Sequence, residues 1–272
     1  MPELPEVETI ARGLAKRVTG DVVQSVWIGR KKQPLKSSAT EITSVLEHSR
    51  IAAVHRMGKH IVFDLDHDRA GSRRAQWIVH LGMTGRLQVC DAQTETAKHT
   101  HAILTLASGR EVRFIDPRRF GRLSVASAGD FDTQGVEPLE VDLEHFIPLF
   151  QGRKTPIKSA LLNQKLLRGV GNIYADESLF RAGIRPRRRA STITRENFAK
   201  LHRSIQEVLK EAIALGGSSV SDYVNADGEE GFFQLEHRVY GREGEPCLVC
   251  KIPIKRIVIA GRSSHYCPKC QK

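Results

Sequence analysis

Four cysteines stand as Cys247-x2-Cys250 and Cys267-x2-Cys270, with 16 residues between the pairs, in the last 26 residues of a 272-residue chain. Each Cys-x2-Cys places two thiolates on one side of a tight turn. Two such turns close a tetrahedral site around a zinc ion about 2.3 Å from each sulfur. All four ligand positions are then filled, so the ion is structural and folds a segment too short to bury a core of its own. Two disulfides in a secreted tail is the opposing reading. It leaves Cys90 as an odd thiol and conflicts with an N-terminus, MPELPEVE, that is acidic where a signal peptide is basic and then apolar. Cys90 itself reads as a small strand residue. Four thiolates and one Zn2+ carry about −2, surrounded by Lys251, Lys255, Arg256, Arg262 and Lys269.

That basic surround is part of a wider imbalance. Lys and Arg number 42 against 31 Asp and Glu, a formal charge of +11, which points to a polyanionic partner, nucleic acid first. The charge is uneven: +6 over residues 1–130, −5 over 131–150, +8 over 151–190 and +2 over the remainder. The acidic stretch from Asp132 to Glu144 reads as a seam between two basic bodies. No run approaches the roughly 18 apolar residues of a membrane helix, so the expectation is a cytoplasmic, nucleoid-associated protein with no membrane partner.

These residues need elements to hold them. Leu4, Val7, Ile10, Leu14 and Val18 recur at helical spacing before Gly20, which predicts an amphipathic helix near residues 3–19 with Pro5 in its first turn. Strand signals follow at Val22–Ile28, Ile51–Leu65, Trp77–Val89, His101–Leu106 and Glu111–Val125, with Ser108 and Gly109 as a hairpin tip. From 143 onward the pattern is helical. Thr194 caps and Gly216 ends a helix whose buried face is Phe198, Leu201, Ile205, Val208, Leu209 and Ala212. Two short helices, Pro156–Asn163 and Ile173–Ala182, flank a long turn containing Gly169 and Gly171. Those glycines serve either as an ordinary helix cap or as a close backbone approach to a phosphate. The fold class is α+β: an antiparallel β-sandwich with an N-terminal helix, a helical domain and a four-cysteine ribbon. The expected division is 1–133, a linker at 134–145, helices at 146–235 and the ribbon at 236–272.

Four separated motifs, PELPEVE at 2–8, DPRRFG at 116–121, GVGNIYA at 169–175 and YCPKCQK at 266–272, occur in an order that resembles bacterial formamidopyrimidine-DNA glycosylases from end to end. The resemblance implies a sandwich, a helix-two-turn-helix domain and a zinc ribbon. It also implies a bifunctional DNA glycosylase and abasic-site lyase acting on oxidised purines such as 8-oxoguanine and formamidopyrimidines. The strand would be cut by β,δ-elimination. One structural Zn2+ and no organic cofactor are implied, with damaged duplex DNA as partner and a monomeric enzyme. Endonuclease VIII, of the same superfamily, prefers oxidised pyrimidines; Leu4, DPRRFG and the trio Met83, Arg118 and Phe120 favour the purine enzyme. A non-catalytic zinc-ribbon DNA-binding protein fits the charge and the cysteines equally well, and the N-terminal Pro-Glu separates the two.

By the same resemblance, Pro2 is the nucleophile once Met1 is removed. An α-amino group with a pKa near 8 is about a tenth neutral at pH 7, where a lysine is almost wholly charged; with Met1 attached, the Pro2 nitrogen is a non-nucleophilic amide. Glu3 matches the proton donor to the opening sugar, Lys59 the lysine of β-elimination, and Arg262 the ribbon arginine of δ-elimination, read here as a phosphate grip. Met83, Arg118 and Phe120 match the trio inserted where the nucleotide is extruded, with Arg118 and Phe120 expected on one strand face. His99 and Arg153 are implied DNA contacts, with Asn172, Arg119 and Lys158 on phosphates. Residues 216–234, including Tyr223, match a loop over the flipped base. The run Arg185 to Arg189 lies outside these matches and reads as a solvated loop or a phosphate contact. Val136 departs from the family's usual proline, with altered linker stiffness as the expected consequence.

Overall fold

The structure is a computed structural model that describes residues 1–32, 34–67, 74–132, 134–219, 226 and 230–272. The chain divides into two compact units, one of residues 1–132 with 216–231 and the other of residues 133–215 with 232–272.

In the first unit, α1 (Leu4–Val18) opens on a capping box: the Glu3 side chain accepts from the backbone of Glu6, and Glu6 returns a bond to the Glu3 N–H at 2.8 Å. Two orphan donors of the first turn are thereby satisfied. Leu4, Val7, Ile10, Leu14 and Val18 are all buried to 1% exposure or less. Two antiparallel four-stranded sheets follow, built from β1 (Val23–Ile28), β2 (Ser49–Met57), β3 (His60–His67), β4 (Ala75–His80), β5 (Arg86–Asp91), β6 (Thr100–Leu106), β7 (Arg110–Ile115) and β8 (Arg122–Ser127). Their orders are β1-β6-β7-β5 and β2-β3-β4-β8. Between β1 and β2, a helix the strand signals gave no hint of, α2 (Ala39–Leu46), is capped by Ser38. One apolar core joins α1, α2 and both sheets, with Phe63 and Trp77 in contact at 4.8 Å between ring centres. Cys90 lies on β5.

Residues 216–231 return to this unit. The Ser218 N–H donates to Glu6 Oε1 at 2.8 Å, and Ala226 lies buried in the sandwich core against Gly13. Tyr223 lies outside the described residues.

The second unit holds α3 (Leu143–Phe150), α4 (Ile157–Leu161), α5 (Asn172–Arg181) and α6 (Arg195–Ala214), then the hairpin β9 (Lys255–Ile259) and β10 (Arg262–Tyr266). Thr194 caps α6 through Asn197 N–H, and the expected face of α6 is buried. Val136 makes a short two-sided bridge, donating to Leu166 O and accepting from Arg168 N–H, each at 3.1 Å. A proline there could not donate, so the departure adds a hydrogen bond where only a change of stiffness was expected. Arg185 donates to the carbonyls of Gln271 and Pro268, and Arg188 to that of Thr192. Within the run Arg185 to Arg189, these two therefore brace the fold.

Candidate DNA-processing site

Strand register brings the sandwich residues together. Met57 pairs with His60, His60 with His80 and His80 with Arg122 in one sheet; Ile28 pairs with Ala102, Thr100 with Ile115 and Arg86 with Ile115 in the other. Residues 58–59, 81–85, 98–99 and 116–121 therefore leave the same end of the sandwich. The N-terminal turns of α1 belong there too, because Arg56, at the end of β2, pairs with Glu8 at 2.8 Å and donates to Gly58 O. Burial opposes the charge on Glu8, but Arg12 and Arg56 outweigh it and hold the carboxyl below its usual range.

Glu3 and Lys59 are buried to 4% and 8% exposure, while Pro2 is partly open. Next to the Lys59 turn, the His60 and His80 rings lie 4.9 Å apart. Burial, then the neighbouring His60, Lys59 and Arg122, pushes His80 down to about 4, so it is neutral at physiological pH. Its Nδ1 accepts from Gly82 N–H.

Met83 and Phe120 are 43% and 46% exposed, large apolar side chains held in water, and the Arg118 guanidinium lies 4.9 Å from the Phe120 ring centre. The expected strand face is corrected: Met83, Arg118 and Phe120 all sit in loops, at the two crossings between sheets. What fixes those loops is Asp116, fully buried. It accepts from Thr84 Oγ at 2.6 Å, Gly121 N–H at 2.8 Å and Arg118 N–H at 3.3 Å, and its own carbonyl meets His101 Nε2 at 2.9 Å. Gly82, at φ +64°, is required where the loops touch, because a Cβ there would come within 2.5 Å of the Phe120 backbone. Arg119 and His99 are exposed and both adopt left-handed backbone, φ +57° and +69°. Asp116 and Thr84 are the supporting residues that sequence reasoning missed; DPRRFG displays the aspartate without showing what it holds.

In the second unit, Gly171 caps α5 with no side chain over its first N–H groups, and Asn172 begins the helix, its Nδ2 3.4 Å from Ser263 Oγ. Lys158 is corrected from a phosphate contact. It is wholly buried, its ammonium 2.7 Å from the buried Asp176 carboxylate and donating to Ser263 O at 2.6 Å. Asp176 also accepts from His265 N–H, so the pair fixes the hairpin that carries Arg262. Arg262 and Arg153 are exposed. Glu177, another unanticipated residue, accepts backbone N–H groups of Arg238, Val239 and Tyr240; burial nonetheless pushes its carboxyl upward. The turn before Arg262 is Ala260-Gly261, both residues at positive φ.

The four cysteine sulfurs lie within 4.8 Å of one another, with Cys250 to Cys267 at 3.4 Å and Cys247 to Cys270 at 3.9 Å. Tetrahedral zinc–thiolate geometry places sulfurs about 3.8 Å apart, so the donor set fits one structural zinc ion.

A sandwich with an N-terminal Pro-Glu, a two-turn helical pair and a zinc ribbon in one chain define a DNA-processing architecture, and the comparisons agree. Models of the formamidopyrimidine-DNA glycosylase N-terminal domain, its H2TH domain and the zinc finger found in FPG and IleRS match residues 1–123, 135–224 and 244–272. The chain is 46% identical to the formamidopyrimidine-DNA glycosylase of Solibacter usitatus and 42% to that of Gluconobacter oxydans, each over the whole of both chains. Among solved structures it is similar to the MutM (Fpg) protein of Thermus thermophilus, with a TM-score of 0.87, 42% identity and coverage of 99% of this chain and 98% of that one. Lactococcus lactis Fpg bound to N7-benzyl-Fapy-dG containing DNA gives a TM-score of 0.90 at 33% identity, with full coverage of both. The chain belongs to the formamidopyrimidine-DNA glycosylase family. Among the described residues no helix is long and apolar enough to cross a membrane.

Proposed function

We propose that this protein is a bifunctional DNA glycosylase and abasic-site lyase of base excision repair, removing oxidised purines from duplex DNA through a Schiff base on Pro2. The observation that carries the reading is the end of the sandwich where Met83 and Phe120 stand in water on loops locked by Asp116, beside the Lys59 turn and the start of α1. Exposed apolar groups on a braced scaffold suit a wedge that fills the space of an extruded nucleotide, with Arg118 reaching the unpaired base opposite.

With Met1 removed, the Pro2 nitrogen attacks C1′. The N–C1′ bond forms, the glycosidic bond breaks and the base leaves with a proton. Glu3 protonates the ring oxygen as the C1′–O4′ bond opens, leaving an iminium. Loss of a C2′ proton expels the 3′ phosphate, with Lys59 beside it. Arg262 grips phosphate through the second elimination, while His99, Arg153, Asn172 and Arg119 hold the backbone. Zinc holds the ribbon that displays Arg262. The protein works on chromosomal DNA.

The test is borohydride trapping of the Met1-processed protein on an 8-oxoguanine:C duplex, with the adduct mapped by mass spectrometry. An adduct on Pro2, lost in Pro2→Gly while duplex binding persists, is expected. No adduct, with Met1 absent and binding intact, would replace the enzyme by a binding module.

A further inference from the structure

We propose that Arg30, Lys31, Lys32 and Lys36, with Trp27 beside them, form an additional backbone-binding strip for duplex DNA, next to the wedge loops. The proposal rests on the reading above that this end of the sandwich faces a duplex. None of these five residues belongs to the motifs that carried that reading.

The placement follows from backbone hydrogen bonds. Ile28 ends β1 opposite Ala102, and Gly29 N–H donates to His101 O at 2.9 Å, so the chain leaves the sheet alongside the start of β6, just after His99. It then crosses to the other sheet. Leu123 N–H donates to Pro34 O at 2.7 Å and Lys36 N–H to Leu123 O at 2.8 Å, which seats residues 34–36 beside the start of β8, where the 116–121 loop ends. The segment thus spans the working end from the His99 side to the Arg118–Phe120 side.

Its charge is undiluted. Arg30, Lys31, Lys32 and Lys36 are exposed and, among the described residues, none is held in an ion pair. Asp116 is buried on its three donors, and Glu47 accepts from Val26 N–H. Trp27 is 51% exposed on an edge strand, its ring against Gly29. A half-exposed indole among unpaired cations suits a sugar-phosphate backbone, which takes the cations on phosphate and the ring on sugar. Continuity with His99 and the wedge selects duplex DNA over an acidic protein as the occupant.

The experiment uses the zinc-loaded, Met1-processed full chain and a duplex carrying a reduced abasic site, with affinity measured by fluorescence anisotropy across a series of KCl concentrations. The slope of log K against log salt is expected to become shallower by about 2 to 3 in Arg30→Gln/Lys31→Gln/Lys32→Gln, since each lost phosphate contact removes about 0.9. A control of equal charge change on the exposed face of α6, Lys200→Gln/Arg203→Gln/Lys210→Gln, is expected to keep the wild-type slope. Trp77 is fully buried, so acrylamide quenching reports Trp27, and duplex is expected to cut that quenching at least by half. A wild-type slope in the first variant, equal slope changes in both variants, or unchanged quenching would each overturn the proposal while wild-type binding and the Pro2 adduct stand. Wild-type protein that neither binds nor traps would instead overturn the enzymatic reading beneath it.

Discussion

In each unit one fully buried aspartate braces the backbone beside candidate DNA-contacting arginines, but the two are neutralised differently. Asp116, under Arg118 and Arg119, is satisfied by a hydroxyl and two backbone N–H groups. Asp176, under Arg262, is satisfied by a wholly buried lysine together with a backbone N–H. Neutral donors hold a carboxylate through several modest contributions, so losing one leaves the others. A single buried counter-ion concentrates the effect, because its removal strands an uncompensated charge.

The largest effect is therefore expected at Lys158. Lys158→Met should destabilise the second unit by about 3–5 kcal/mol, read by thermal unfolding, and adding Asp176→Asn should recover much of it; equal losses in single and double variants would erase the contrast. Asp116→Asn should cost about 1–3 kcal/mol, since an amide NH2 must face either Gly121 N–H or the other two donors. The check is the urea midpoint of the first unit, and a loss as large as that of Lys158→Met would show that neutral donors do not spread the load. The smallest effect should be a gain. Ala260 sits at φ +47° in a two-residue hairpin that favours Asn-Gly, so Ala260→Asn should stabilise the ribbon by about 0.5–1 kcal/mol, measured on zinc-loaded protein.

The contrast also marks how far the sequence could be read. Period and capping residues were enough for α1 and α6, because the Leu4–Val18 stripe and Thr194 are local signals. The cysteine spacing was enough for a zinc site. A lysine's type, by contrast, does not say whether it meets solvent or a buried carboxylate: Lys158 reads as a phosphate ligand until Asp176 is found 18 positions away in the chain and 2.7 Å away in space. The strand reading of Arg118 and Phe120 failed for a related reason. Gly121 and Asp116 break the run between β7 and β8, and the consequence shows only when Thr84 closes it from the loop between β4 and β5. Arg30 to Lys32 form a short basic run that acquires meaning only from its position relative to His99 and Leu123.

The return of residues 216–231 to the sandwich makes neither unit a contiguous stretch of sequence. The backbone passes between them three times, after residues 132, 215 and 231. A fragment ending at 132 would leave Glu6 without Ser218 and the core without Ala226. One proteolytic nick in the acidic linker would leave two covalent connections in place. The unit that holds Pro2 is thus completed only after the chain has been synthesised through most of its helical partner, and a gene fusion or domain swap drawn at the linker would separate parts that fold as one.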